Sequence, residues 1–193
     1  MRCNILEKNG RMSLHNFIIY TTRFNHETYI EYTKYKENKK FDGSIYNIPV
    51  YLRYNKVRVN MPLIVLDMHN DLNKICGIGI IRNQYKYIDT FQIYKDRNYN
   101  RYSYISQYYI NINGDDNYYY YQRNIDNFDK TIKLLETLCF TGRGHLKRGS
   151  GFTKLPLKNF DLDEIYEIKE ILCNMFKLKY GDKKELDNML YIM

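Results

Sequence analysis

Residues 62–81 constrain the fold of this chain more than any other segment. Leu63-Ile64-Val65-Leu66-Asp67-Met68 is a run of strand formers, and His69-Asn70-Asp71-Leu72-Asn73 has turn chemistry. Lys74-Ile75-Cys76-Gly77-Ile78-Gly79-Ile80-Ile81 then returns as a second strand. This pattern predicts a β-hairpin. Residues i and i+2 of a strand share a face, so Gly77 and Gly79 open one face of the hairpin to a close neighbour.

The flanking segments follow local rules. Asn16-Phe-Ile-Ile-Tyr-Thr21 predicts a buried strand. Asn25 fits a helix N-cap with Glu27 in the first turn, and Phe24 and Tyr29 fit a hydrophobic staple. That helix should reach about Lys39 and stop before Gly43. Residues 45–54 form a mixed segment interrupted by Pro49. Strands are expected near 87–94 and 101–112, and Asn113-Gly-Asp-Asp-Asn117 reads as a turn ahead of four consecutive tyrosines, 118–121. Asp126 or Asn127 should cap a helix whose stripe is Phe128, Ile132, Leu135 and Leu138 or Cys139. Another helix should start after Asp161, with Ile165, Ile168, Leu172, Met175 and Phe176 on its apolar face and Gly181 beyond its end. Strands in the middle with helices around them give the α+β class, with an antiparallel or mixed sheet.

A chain of 193 residues is expected to form a single domain, 1–193. Tyr, Ile, Asn and Lys dominate, with 22 Tyr, while Ala and Trp are absent. That bias follows AT-rich codons, so an individual Tyr, Asn or Lys is a weak signal. The net charge of +8 favours an anionic partner. No stretch has the length of an apolar membrane span, and residues 1–11 lack the apolar segment of a signal peptide. Cys3, Cys76, Cys139 and Cys173 show no zinc or redox spacing, which suits reduced thiols and an intracellular, cytoplasmic or nuclear setting.

The segment Thr141-Gly-Arg-Gly-His-Leu-Lys-Arg-Gly-Ser-Gly-Phe-Thr-Lys154 carries four glycines and four cations and no acid. Glycine lets backbone amides approach phosphate oxygens, and the cations neutralise them. Arg143, His145, Lys147, Arg148 and Lys154 are therefore the expected nucleic-acid contacts. Gly144 and Gly149 have phosphate-loop spacing, but Ser150-Gly151 replaces the Lys-Ser/Thr pair of a nucleotide-hydrolysing loop. Tyr46, Tyr51 and Tyr54 beside Arg53, Lys56 and Arg58, and Tyr99, Tyr102 and Tyr104 beside Arg97 and Arg101, have the composition of a base-stacking surface. No nucleophile, acid–base pair or ligand spacing stands out. His69 with Asp67 or Asp71 falls within turn chemistry, so no catalytic residue, metal site or cofactor is expected.

The order of these elements resembles the PUA-like superfamily, and within it the EVE and YTH domains, over roughly residues 14–112. The residues that carry the resemblance are the strand 16–21, the helix that follows at once, and the hairpin whose second strand reads Ile75-Cys-Gly-Ile-Gly-Ile80. The resemblance implies a PUA-like β-barrel or sheet with flanking helices, a core spanning 14–155, and a C-terminal helical segment, 156–193. It also implies a module that binds RNA in preference to DNA, or a modified base, in an aromatic pocket. By position, Ser44, Tyr46, Asn47 and Tyr51 would line that pocket, with tyrosine in place of the tryptophans of the YTH branch. The competing expectation is an assembly protein, such as a virion component, acting through tyrosine-rich contacts with a protein partner.

Overall fold

The computed structural model describes residues 17–53, 56–87 and 91–193. Cys3, the segment 1–11, Asn16 and Tyr54 lie outside the described residues.

The first strand, β1 (Ile19–Phe24), runs into helix α1 (His26–Asn38) through a single residue, Asn25. The Asn25 side chain accepts from the Thr28 amide at 2.8 Å, and Thr28 Oγ1 accepts from the Asn25 amide at 3.0 Å, a reciprocal capping box. The Phe24 and Tyr29 rings meet edge-to-face at 5.7 Å, closing the staple. The hairpin turn adds a third restraint, because Asp71 Oδ2 accepts from the His26 amide at 2.7 Å.

Strand β2 (Ser44–Ile48) ends at Pro49. The hairpin forms as β3 (Pro62–His69) and β4 (Lys74–Arg82), with Asn73 in the left-handed region at φ 54° and a register shift between Asp67 and Met68. The expected strand near 87–94 is reduced to β5 (Lys86–Tyr87); residues 88–90 lie outside the described residues, and 91–94 are not strand. The expected strand at 101–112 is two strands, β6 (Tyr102–Ser106) and β7 (Tyr109–Asn111), which belong to different sheets. The turn expected at 113–117 is the start of helix α2 (Asp115–Asn124), where Asp115 and Asp116 sit at the positive end of the helix dipole. Helix α3 (Phe128–Phe140) buries Phe128, Ile132, Leu135 and Cys139. The short strand β8 (Thr153–Lys154) precedes α4 (Leu162–Tyr180), which has an Asp161 capping box, and α5 (Lys184–Ile192), which the sequence reading lacked.

Two open sheets result. One has the order β7-β4-β3-β1-β8, with β1 and β3 parallel and its other pairs antiparallel; the other is antiparallel, β2-β6-β5. Among the described residues no barrel closes, which corrects the barrel alternative. The β1–α1 crossover makes β1 and β3 parallel neighbours, and β2 pairs with β6 instead of extending the larger sheet.

Both faces of the larger sheet are covered, which accounts for the unbroken apolar character of β3 and β4. Ile19, Ile64, Leu66, Ile78 and Ile80 pack against Leu135, Leu172, Phe176 and Met189 of the helices. Tyr20, Leu63, Val65 and Ile81 pack against Tyr46, Ile48 and Tyr104 of the smaller sheet. Phe24 and Tyr32 join Ile45, Ile93 and Tyr94 in a third cluster. The neighbours that Gly77 and Gly79 admit are both tyrosine hydroxyls. A Cβ at Gly77 would collide with the hydroxyl of Tyr109, and one at Gly79 with that of Tyr46.

Candidate nucleic-acid interface

The parallel strands β1 and β3 end side by side at Phe24 and His69, and the Asn70 amide donates to the Phe24 carbonyl at 2.8 Å. Ligands of open sheets gather outside the carboxyl ends of parallel strands, where chain ends and helix N-termini diverge. A cleft of about 180 Å³ lies there. Its walls include Arg23 from β1, Thr28 from α1, Asn47 from β2, Tyr94 and, from the 3-10 turn Arg97–Asn100 before β6, Tyr99, and Lys147 with Gly149, Ser150 and Gly151 from the basic loop.

Arg23 shapes the basic loop. One terminal nitrogen of its guanidinium donates to the Leu146 carbonyl at 3.1 Å and to Thr153 Oγ1 at 2.7 Å; the other donates to the Gly151 carbonyl at 2.5 Å. Burial lowers the pKa of this guanidinium from its ordinary value. Asn70 Nδ2 donates to the Lys147 carbonyl at 3.2 Å, and His145 Nδ1 accepts from the Lys147 amide at 3.3 Å. With its carbonyls tied inward, the loop turns through Gly149 at φ 104° and Gly151 at φ 69°, a region that L side chains rarely occupy. The amides of Arg148, Gly149 and Ser150 donate to no group among the described residues.

The aromatic wall has its own scaffold. Buried Asn100 accepts through Oδ1 from the amides of Ile93 and Tyr94, both at 3.1 Å, and donates through Nδ2 to the Tyr94 carbonyl at 2.6 Å. Asn47 Nδ2 donates to Asn100 Oδ1 at 2.9 Å and to the Phe91 carbonyl at 2.6 Å, and its Oδ1 accepts from Ser103 Oγ at 2.6 Å. The Tyr94 and Tyr99 rings meet edge-to-face at 6.1 Å; Tyr94 is buried and Tyr99 is 39 % exposed.

Of the expected basic contacts, Lys147 lines the cleft. Arg143 and Arg148 are exposed on the same loop, His145 is half-buried, and Lys154 is exposed on β8 opposite Tyr20. Of the four pocket residues placed by resemblance, Asn47 lines the cleft, with its amide already committed to the loop scaffold. Ser44 and Tyr46 are buried between the sheets. Tyr51 packs against Tyr85 and Tyr102, with ring centres at 5.3 and 5.2 Å. Arg23, Asn70 and Tyr94 were missed in the sequence. The available signal was Arg23 itself, a cation at the end of a buried strand.

A second polar group lies deeper. Asp67 is fully buried on β3, and its Oδ2 accepts from the Tyr109 hydroxyl at 2.9 Å, whereas Oδ1 has no hydrogen-bond partner among the described residues. Burial raises the Asp67 pKa to about 6, against the lowering effects of Tyr109, Lys36 and Tyr46. The Tyr46 hydroxyl acts on this carboxyl without completing a well-formed hydrogen bond. Among the described residues no group of three His, Cys, Asp or Glu side chains could hold a metal ion, and no helix is long and apolar enough to cross a membrane.

Compared with known protein families, curated proteins and solved structures, the chain matches none.

Proposed function

We propose that this chain is a nucleic-acid-binding module that takes single-stranded RNA in preference to DNA. The observation that carries the reading is the meeting of Lys147, the 149–151 turn and Tyr99 around one cleft. Phosphate oxygens take the Lys147 ammonium and the uncommitted amides of 148–150, and a base stacks on the exposed face of Tyr99. Arg143 and Arg148 extend the cationic surface along the strand. A stacked base contributes about 1–3 kcal/mol, and any base or methylated base offers the same π face. A PUA-like relationship fits this reading through the order β1–α1–β2–β3–β4 and the glycine pair of β4, and aromatic base capture rests on tyrosine, since the chain has no Trp.

The test is fluorescence anisotropy with labelled single-stranded RNA and DNA of equal sequence. Log affinity should fall steeply with log salt, because each neutralised phosphate releases counterions, with a slope of about −0.7 per contact on a single strand.

A second reading, assembly through protein contacts, is favoured by Tyr119 and Tyr120 on α2 and Tyr191 on α5, which are 49 %, 49 % and 74 % exposed. A large oligomer that persists in high salt without bound nucleic acid would favour it.

A further inference from the structure

Stretches 49–53, 56–59, 82–87 and 101–106 contain no Asp or Glu, and the fold gathers them at one end of the smaller sheet. Ile48 pairs with Tyr102 and Lys86 with Ser103, which sets the ends of β2 and β5 beside β6. The Leu52 amide donates to the Tyr104 hydroxyl at 2.9 Å, and Asn83 Nδ2 donates to the Val57 carbonyl at 2.8 Å. These bonds hold the two stretches after Pro49 against the sheet. The result is a surface with six cations, Arg53, Lys56, Arg58, Arg82, Lys86 and Arg101. Among the described residues none of the six makes an ion pair.

Three tyrosines sit among these charges. The ring centres of Tyr51, Tyr85 and Tyr102 lie 5.3, 5.2 and 5.0 Å apart, with planes tilted 41°, 59° and 81° to one another. All three are half-buried, and Tyr85 and Tyr102 close the rim of the core between the sheets. The rings therefore form a faceted wall, and a base can lie against an outward face without separating them. Arg53, Lys86 and Arg101 are exposed, each within two residues of one of the rings. Tyr85 also borders a hollow of about 420 Å³ with Arg82 and Lys86. The acid there, Glu185, accepts from Gln107 Nε2 at 3.1 Å.

The wall adjoins the cleft. Ile48 and Pro49 line the cleft, and Gly151 of the basic loop lies against the segment from Ile48 to Val50. Tyr51 is the next residue along that segment.

We propose that the Tyr51–Tyr85–Tyr102 wall is a second subsite, which holds a further base and its phosphates on the same RNA strand as the cleft. The inference rests on the reading of the chain as a single-strand binder. A polyanion fits a surface of cations without acids, and rings between those cations suit stacked bases. Two subsites on one strand bind more tightly than either alone, because the second contact is made at high effective concentration.

The experiment measures anisotropy with labelled oligouridines of about four and about twelve nucleotides, within the site sizes of single-strand binders. On wild type the longer strand should bind on the order of a hundredfold more tightly, beyond the few-fold gain from extra registers. The double variant Arg53→Ala/Lys86→Ala changes two exposed side chains. It should remove most of that gain and flatten the salt slope on the longer strand by about 1.4, two contacts at about 0.7 each. Tyr51→Leu, with its melting checked alongside, should weaken the longer strand on the order of tenfold at an unchanged slope. Lys147→Ala should weaken both lengths. If the gain with length persists in the double variant and in folded Tyr51→Leu while Lys147→Ala still weakens binding, the second subsite is overturned and the cleft stands. If wild type binds neither length, the single-strand reading fails and this proposal with it.

Discussion

The guanidinium of Arg23 donates to the carbonyl of Gly151 at 2.5 Å, joining residues 128 positions apart. The same side chain holds the Leu146 carbonyl and Thr153 Oγ1, so one residue at the end of β1 fixes both ends of the basic loop. Arg23→Met keeps much of the stem volume and removes all three bonds. It should lower unfolding free energy by about 2 kcal/mol and strip hydrogen-exchange protection from the bonded loop amides of Leu146 and Lys147 while sparing the hairpin. Arg23→Lys should recover little, because one ammonium cannot span the carbonyls of 146 and 151 as a planar fork does. Urea melts with peptide-resolved exchange read both effects.

Gly77 and Gly79 test the packing between the sheets. Either glycine to Ala should cost about 1–3 kcal/mol, because the new methyl meets a tyrosine hydroxyl held by packed surroundings. Rescue should differ between the two sites. Tyr46→Phe should relieve Gly79→Ala in part, since the Tyr46 hydroxyl completes no hydrogen bond among the described residues but Ser44 Cβ, 2.8 Å from the new methyl, remains. Tyr109→Phe should relieve Gly77→Ala less, because ring carbon Cζ still lies 2.5 Å from the new methyl and Asp67 loses the Tyr109 hydroxyl that donates to it. Double-mutant cycles on unfolding free energy measure the difference.

Asp67 gives the fold a pH dependence of definite sign. Its folded pKa of about 6 lies above the ordinary 3.8, so the native state holds the proton more tightly than the unfolded chain. The resulting stability is fully present below about pH 4 and is lost as pH rises through 6, by about 3 kcal/mol for a shift of this size. Asp67→Asn keeps the shape and removes the charge. The wild-type stability minus that of Asp67→Asn should therefore fall between pH 4 and 6 and stay level above pH 7. A difference that rises with pH would contradict this placement of Asp67.

Asn47 separates scaffold from readout. Its amide is spent on Asn100, Phe91 and Ser103, so it positions the Tyr94–Tyr99 wall without an uncommitted group for a base. Asn47→Ala should cost about 2–3 kcal/mol of stability through the orphaned partners. It should weaken RNA binding equally across sequences. A changed base preference with unchanged stability would show that Asn47 reads the base.

Where short-range physics decides the outcome, the sequence is readable. Asn25, Thr28, Phe24 and Tyr29 lie within six residues of each other, and the helix start they encode is present to the residue. The hairpin and the open face of Gly77 and Gly79 are readable for the same reason, although which neighbours fill that face is not. Tyr109 and Tyr46 arrive from strands in two different sheets. Tyrosine abundance hides the rest. With tyrosines on both faces, 101–112 shows no period that marks the change of sheet at residues 107–108, and α2 is concealed within a tyrosine run. The cleft depends on Arg23 meeting 146–153 and on Asn47 meeting Asn100, pairings that spacing along the chain does not encode.

The most direct measurement of the central claim is the salt dependence of single-stranded RNA affinity for wild type, Lys147→Ala and Tyr99→Ala, each confirmed folded. Wild type should show a steep log–log slope. Lys147→Ala should weaken binding to all sequences and flatten the slope by about one phosphate contact. Tyr99→Ala should lose about 1–3 kcal/mol with the slope unchanged. A flat wild-type slope, or variants that bind as wild type does, would contradict a cleft that grips phosphate with the basic loop and stacks a base on Tyr99.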